Sequence, residues 1–147
     1  MLKPDAYISG FLDYDQHPLY DLLSHPHEKA GEDMKVTVLV ENTACTDQVI
    51  AQHGLSLYLE TENHRILFDM GQSDAFIHNA QALKIDLSKV DIAVLSHGHY
   101  DHGGGLEAFL QVNQKAPVYI HETAFGLYYN GTEKYIGLNP SLLGNPR

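Results

Sequence analysis

The sequence predicts an α/β domain: a mixed sheet with helices on one face. Three observations point there. Residues 35–69 read as strands, the chain from 73 onward alternates helix with strand, and "DIAVLS" (91–96) is apolar on both sides, as a fully covered inner strand would be. A group of strands followed by alternating helices and strands forms a layered sheet-and-helix domain.

The elements follow in order. "KVTVLVE" alternates, with Val36, Val38 and Val40 on one face. "LSLYLE" (55–60) places Leu55, Leu57 and Leu59 on one face, and "RILFD" (65–69) returns after the turn "TENH", a hairpin pattern. "SDAFIHNAQALKI" (73–85) carries Phe76, Ile77, Ala80 and Leu83 at helical spacing, with Ser73 or Asp74 as N-cap. "GGLEAFLQVN" (104–113) reads as a helix, "PVYIHE" (117–122) as a strand and "TAFGLYY" as a short helix. The tail "NGTEKYIGLNPSLLGNPR" is turn-rich and holds no finished element. Residues 1–33 differ: seven acids, two lysines, three prolines and several aromatic and leucine side chains, without a sustained period. That composition is too apolar for a typical disordered tail. It marks an extension or docking arm, with the domain proper at 34–147.

Composition narrows the function classes. The chain has 147 residues and a formal net charge of -10, which disfavours a nucleic-acid partner because phosphate backbones need clustered Lys and Arg. No apolar run has the length of a transmembrane helix, and the N-terminus lacks the basic and apolar regions of a signal peptide. Cys45 is the single cysteine, so no internal disulfide forms and a reducing compartment, the cytoplasm, is expected. Cys45 itself reads as a small buried or half-buried side chain.

"SHGHYDHGGGL" (96–106) is the chemical signal. His97 and His99 lie just past an inner strand, and alternate positions on an extended backbone point the same way. Asp101 and His102 follow one turn on, where Gly98 and Gly103 to Gly105 permit tight bending. Imidazoles with a carboxylate suit Zn(II), Fe(II) or Mn(II) rather than Ca(II).

This H-x-H-x-D-H stretch resembles the signature of the metallo-β-lactamase-fold hydrolases. "VTVLVENTA", "HGLSLYLET", "ILFDMGQSDAFIHNA" and "VYIHETAF" are similar to the branch related to 7,8-dihydropterin-6-methyl-4-(ribofuranosyl)aminobenzene-5'-phosphate synthase. The resemblance covers residues 34 to about 145. It implies the N-terminal half of an αββα sandwich built from two similar halves. It implies two divalent metal ions, Zn first, with Fe or Mn as alternatives. His97 and His99 would hold the first ion and Asp101 and His102 the second. Asp101 would also orient or deprotonate the attacking water, so it is the expected catalytic residue. Asp69 in "LFDMG" would support the histidine loop by hydrogen bonds without being a ligand. The implied reaction is two-metal hydrolysis of a phosphate- or ester-type small molecule.

The implied site also needs a third histidine, a bridging aspartate and a further histidine. Residues 103–147 hold one histidine, His121, and no aspartate. His121 comes too early to be the missing ligand and is a candidate supporting group. The expectation is therefore a truncated or split hydrolase that forms a homo-oligomer or pairs with a missing C-terminal half. Its rival is a silent fragment that associates through its open sheet and binds metal weakly, and a third reading is an iron-using binding or redox module. Tyr100, Asn42 and His53 are candidate substrate contacts at the mouth of the site, with turn or surface roles as the alternative. Glu41 has the same standing. His64 and His78 read as solvated, and His17, His25 and His27 fall in the arm. "GQSD" either caps a helix or holds a phosphate.

Overall fold

The computed structural model describes residues 34–142. The expected arm at 1–33, with His17, His25 and His27, lies outside the described residues. Five strands form one mixed sheet in the order β1-β2-β3-β4-β5: β1 (Lys35–Val40), β2 (Ser56–Glu60), β3 (Arg65–Phe68), β4 (Ile92–Leu95) and β5 (Val118–Ile120). β1, β2 and β3 pair antiparallel, while β3, β4 and β5 pair parallel. The parallel connections carry the helices α1 (Ala75–Ala82), α2 (Tyr100–Gly103) and α3 (Leu106–Val112).

The helices pack on one sheet face. Phe76 and Ala80 of α1 and Leu106, Phe109 and Leu110 of α3 bury against Leu39, Tyr58, Leu67 and Ala93. Within α1, Phe76 and Ala80 lie four residues apart, so the helix turns one stripe inward. Asn79 on the same helix is buried and does different work. Its amide donates to the carbonyls of Leu39 (2.6 Å) and Ile50 (2.9 Å), and its oxygen accepts the Ile50 N–H at 2.7 Å. One side chain thus pins the long β1–β2 connection, which carries Asn42 and His53, to the core.

The opposite face is also apolar. The strand register places Val36, Val38, Leu57, Leu59, Ile66, Phe68, Ile92 and Val94 on it. None of them belongs to the helix-packed core. Ile66 and Ile92 at its centre are buried, while Val36 and Val38 at its edge are 47% and 49% exposed.

Four expectations need correction. Val40 does not share its environment with Val36 and Val38: the register shifts between Val38 and Val40, so Leu39 and Val40 are both buried. Cys45 is exposed, because its segment runs over the surface without secondary structure. The tail does contain a finished element, the hairpin β6 (Tyr129–Asn130) and β7 (Lys134–Tyr135), turned through Gly131 at φ 68. "TAFGLYY" forms no α-helix: its start lies in a 3-10 turn at Glu122–Phe125 and its last residue, Tyr129, begins β6. Among the described residues no helix is long and apolar enough to cross a membrane.

Candidate metal centre

β3 ends at Phe68 and β4 at Leu95, side by side and parallel, so their following residues meet at one edge of the sheet. Those residues are Asp69 on one strand and Ser96 and His97 on the other. Asp69 is wholly buried at φ 57, a left-handed conformation that is costly for a residue with a side chain. Its surroundings hold it there. Its N–H donates to the Val94 carbonyl at 2.9 Å, and its carbonyl accepts the Ser56 hydroxyl at 2.8 Å. Its carboxylate accepts the Ser96 N–H (2.8 Å), the Ser96 hydroxyl (2.8 Å) and His102 Nδ1–H (2.7 Å).

These bonds determine which nitrogens face outward. A carboxylate only accepts, so the Ser96 proton points to Asp69 and the Ser96 oxygen must accept from its other neighbour. That neighbour is His97 Nδ1, at 2.9 Å. Nδ1 thereby carries a proton in both His97 and His102, which leaves Nε2 as the atom each would offer to an ion. One buried carboxylate sets both tautomers, directly for His102 and through Ser96 for His97. Burial, aided by the nearby His102 and His99, holds the His97 pKa below its ordinary value, while Asp69 and Asp101 oppose this. His97 is therefore kept neutral and able to coordinate.

The potential ligand atoms of His97, Asp101 and His102 lie within 4.8 Å of one another. Asp101 Oδ2 is 3.6 Å from His102 Nε2. His99 stands beside this group, its ring edge-on to His97 at 4.6 Å and to Tyr128 at 5.3 Å. The donor set of two imidazoles and a carboxylate within a few ångströms suits one divalent ion of the Zn, Fe or Mn class.

The remaining candidates divide. His53 Nε2 is 3.3 Å from Asp101 Oδ2, while Asn42 meets the site only through His53, its side-chain oxygen 3.0 Å from His53 Nδ1. Gly54 makes that approach possible, since a Cβ there would overlap the Asp101 carbonyl and its φ is 125. Tyr100 lines a cleft of about 370 Å³ with His53, His99 and Asp101, faced by Asn130 and Lys134 of the β6–β7 hairpin. His121 instead bonds Thr123 at 2.8 Å within its own turn. Glu41 bonds the neighbouring Thr43, His78 pairs with Asp74 one turn away, and His64 lies 3.5 Å from Asp91. In "GQSD", Ser73 accepts the Ala75 N–H at 3.2 Å, a plain helix-start bond. Ser96, Asn130 and Lys134 were missed from sequence. The Asn-Gly pair at 130–131 between tyrosines was a usable hairpin signal.

The metallo-beta-lactamase superfamily model matches residues 50–145. A protein of Methanocaldococcus jannaschii of uncharacterized function is 39% identical over 110 residues, covering 73% of this chain and 41% of the relative. The 7,8-dihydropterin-6-methyl-4-(beta-D-ribofuranosyl)-aminobenzene-5'-phosphate synthase of the same organism is 33% identical over 101 residues, covering 64% of this chain and 34% of the relative. A solved metal-dependent hydrolase of the beta-lactamase superfamily superposes with a TM-score of 0.60 at 32% identity, covering 75% of this chain and 39% of that one. The chain thus spans less than half the length of these relatives. With the mixed sheet, the one-sided helices and the H-x-H-x-D-H loop at a strand end, these matches agree on one conclusion: the chain belongs to the metallo-beta-lactamase superfamily of metal-dependent hydrolases.

Proposed function

We propose that this chain carries part of a two-metal hydrolytic site acting on phosphate- or ester-type small molecules. The observation that supports this most is the convergence of His97, Asp101 and His102 with their tautomers set by Asp69. His97 and His102 would hold an ion through Nε2, with Asp101 and His99 beside them. A divalent ion there supplies Lewis-acid activation of water and of a phosphoryl or carbonyl oxygen. Asp101 Oδ2 orients the attacking water and accepts its proton, because it is the carboxylate oxygen turned into the cleft beside His53. Tyr100, Asn42 and His53 shape the approach of the substrate. The phosphate named in one relative supports a phosphorylated substrate.

The apolar sheet face supports a second part of the reading: a second copy of the chain covers it, in the layer order that the resemblance implies. The ligands expected beyond His102 would come from outside the 97–102 loop, since His121 is engaged with Thr123. An exposed single cysteine, Cys45, is at home in the reducing cytoplasm.

The test is metal content by plasma mass spectrometry after dialysis of the purified chain against metal-free buffer. One or two retained ions per chain are expected, with loss in both His97→Ala and His102→Ala. Full retention in both variants would sink the proposal. Substoichiometric metal in the parent chain would favour the silent-fragment reading.

A further inference from the structure

Lys134 is set apart from the other cations of this acidic chain by its place in the cleft beside the candidate ligands. Lys35 and Lys89 pair with Glu60 (3.3 Å) and Asp86 (3.7 Å). Among the described residues no carboxylate lies within ion-pair distance of Lys134. Its ammonium stands 5.7 Å from the centre of the Tyr100 ring, in the cleft that also contains His53, Asp101 and Asn130.

The position is built into the site. The Tyr100 N–H donates to the Ile136 carbonyl at 2.8 Å, and His99 forms an antiparallel bridge with Gly137. The Ile136 N–H donates to the Tyr128 carbonyl at 2.9 Å, and the Tyr135 hydroxyl to the Leu138 carbonyl at 2.7 Å. The hairpin is thus stitched to the same backbone that carries His99 and Asp101, and Lys134 moves with the candidate ligands rather than independently of them.

We infer that this cleft contains a phosphate subsite, with Lys134 and the Asn130 amide holding a phosphate group of the substrate while bond cleavage takes place beside His97, Asp101 and His102. The inference rests on the proposed hydrolytic reading and specifies its substrate class. A lysine ammonium is a compact point charge suited to a phosphate. The Asn130 amide, directly across the hairpin from Lys134, adds neutral donors on the same face. The Asp101 carboxylate lines the same cleft, with its Oδ2 3.3 Å from His53 and 3.6 Å from His102, so the subsite is assigned to the hairpin side, at Lys134 and Asn130. The Tyr100 ring gives the ammonium an apolar support without neutralising it.

The experiment is a two-dimensional NMR titration of the full metal-free chain with inorganic phosphate, and with acetate in parallel. Saturable shifts are expected at Tyr100, Asn130 and Lys134. Phosphate affinity should fall about tenfold in Lys134→Met, the loss expected for one charge-assisted hydrogen bond. Lys134→Arg should retain it, which separates loss of charge from loss of the hairpin. Unchanged affinity in Lys134→Met, acetate binding as tightly as phosphate, or shifts absent from these residues would each overturn the subsite. Metal content is measured separately. If the chain holds no metal but phosphate binds as expected, the hydrolytic reading fails and the subsite stands. If metal is held but phosphate does not bind, the reverse is true.

Discussion

Asp69 is buried, ionisable and in a left-handed backbone conformation, three costs in one residue. A strained backbone of this kind costs on the order of 1–3 kcal/mol. Five hydrogen bonds offset it, and two of them set the ring orientation of the two histidines, one directly and one through the Ser96 hydroxyl. Asp69→Asn removes the negative charge and turns one acceptor into a donor facing His102. Divalent-metal affinity should drop ~10–100-fold, as it does when outer partners of ligating histidines are lost, measured by competition with a chromogenic chelator. Ser96→Ala tests the relay to His97 alone: a smaller loss is expected, and an unchanged affinity would show that Ser96 does not set that tautomer. Asp69 was legible from sequence, since an aspartate before Met-Gly at a strand end fits the family pattern. Ser96 was not, because its role depends on a side chain 27 positions away coming within 2.8 Å.

At the scale of elements, β2 separates the two environments of the sheet. Tyr58 faces the helix-packed core, while its neighbours Leu57 and Leu59 face the other way. Burial, reinforced by Glu60 and opposed by Arg65, holds the Tyr58 hydroxyl above its ordinary pKa of 10.0. The unfolded chain therefore loses this proton first as pH rises, so Tyr58 stabilises the fold fully below pH 10.0 and loses that contribution above it. Burial shifts Tyr119 on β5 the same way. Unfolding midpoints in urea should stay level up to pH 10 and fall beyond it, and Tyr58→Phe should flatten part of that fall. A parent chain equally stable at pH 9 and pH 11 would contradict the account. Strands β1 to β5 and the two longer helices were legible because their apolar periods are local, whereas the two-residue strands β6 and β7 are too short to show one. The four-residue helix α2 was not, since residues 100–103 carry ligands and glycine rather than a period.

Among the described residues the sheet has one face packed by helices and an apolar opposite face, exposed at its β1 edge at Val36 and Val38. Exposed apolar side chains on a sheet edge favour association when they form a contiguous patch. If a second copy covers it, the purified chain sediments above its monomer mass, and Val38→Lys, at a half-exposed edge position, returns it to monomer without unfolding it. A parent chain that stays monomeric at micromolar concentration would leave the face to a different polypeptide. The sequence by itself determined the order of the five sheet strands and the two longer helices, the candidate ligand types of the 97–102 loop and the family, because hydrophobic period and ligand spacing are properties of neighbouring residues. Only the tertiary structure decided that Asp69 sets two histidine tautomers, that His53, held by Asn42, reaches Asp101, and that Lys134 enters the cleft. Each of those pairings joins segments distant in the chain, and a contact between distant segments exists only once the sheet has brought its strand ends together.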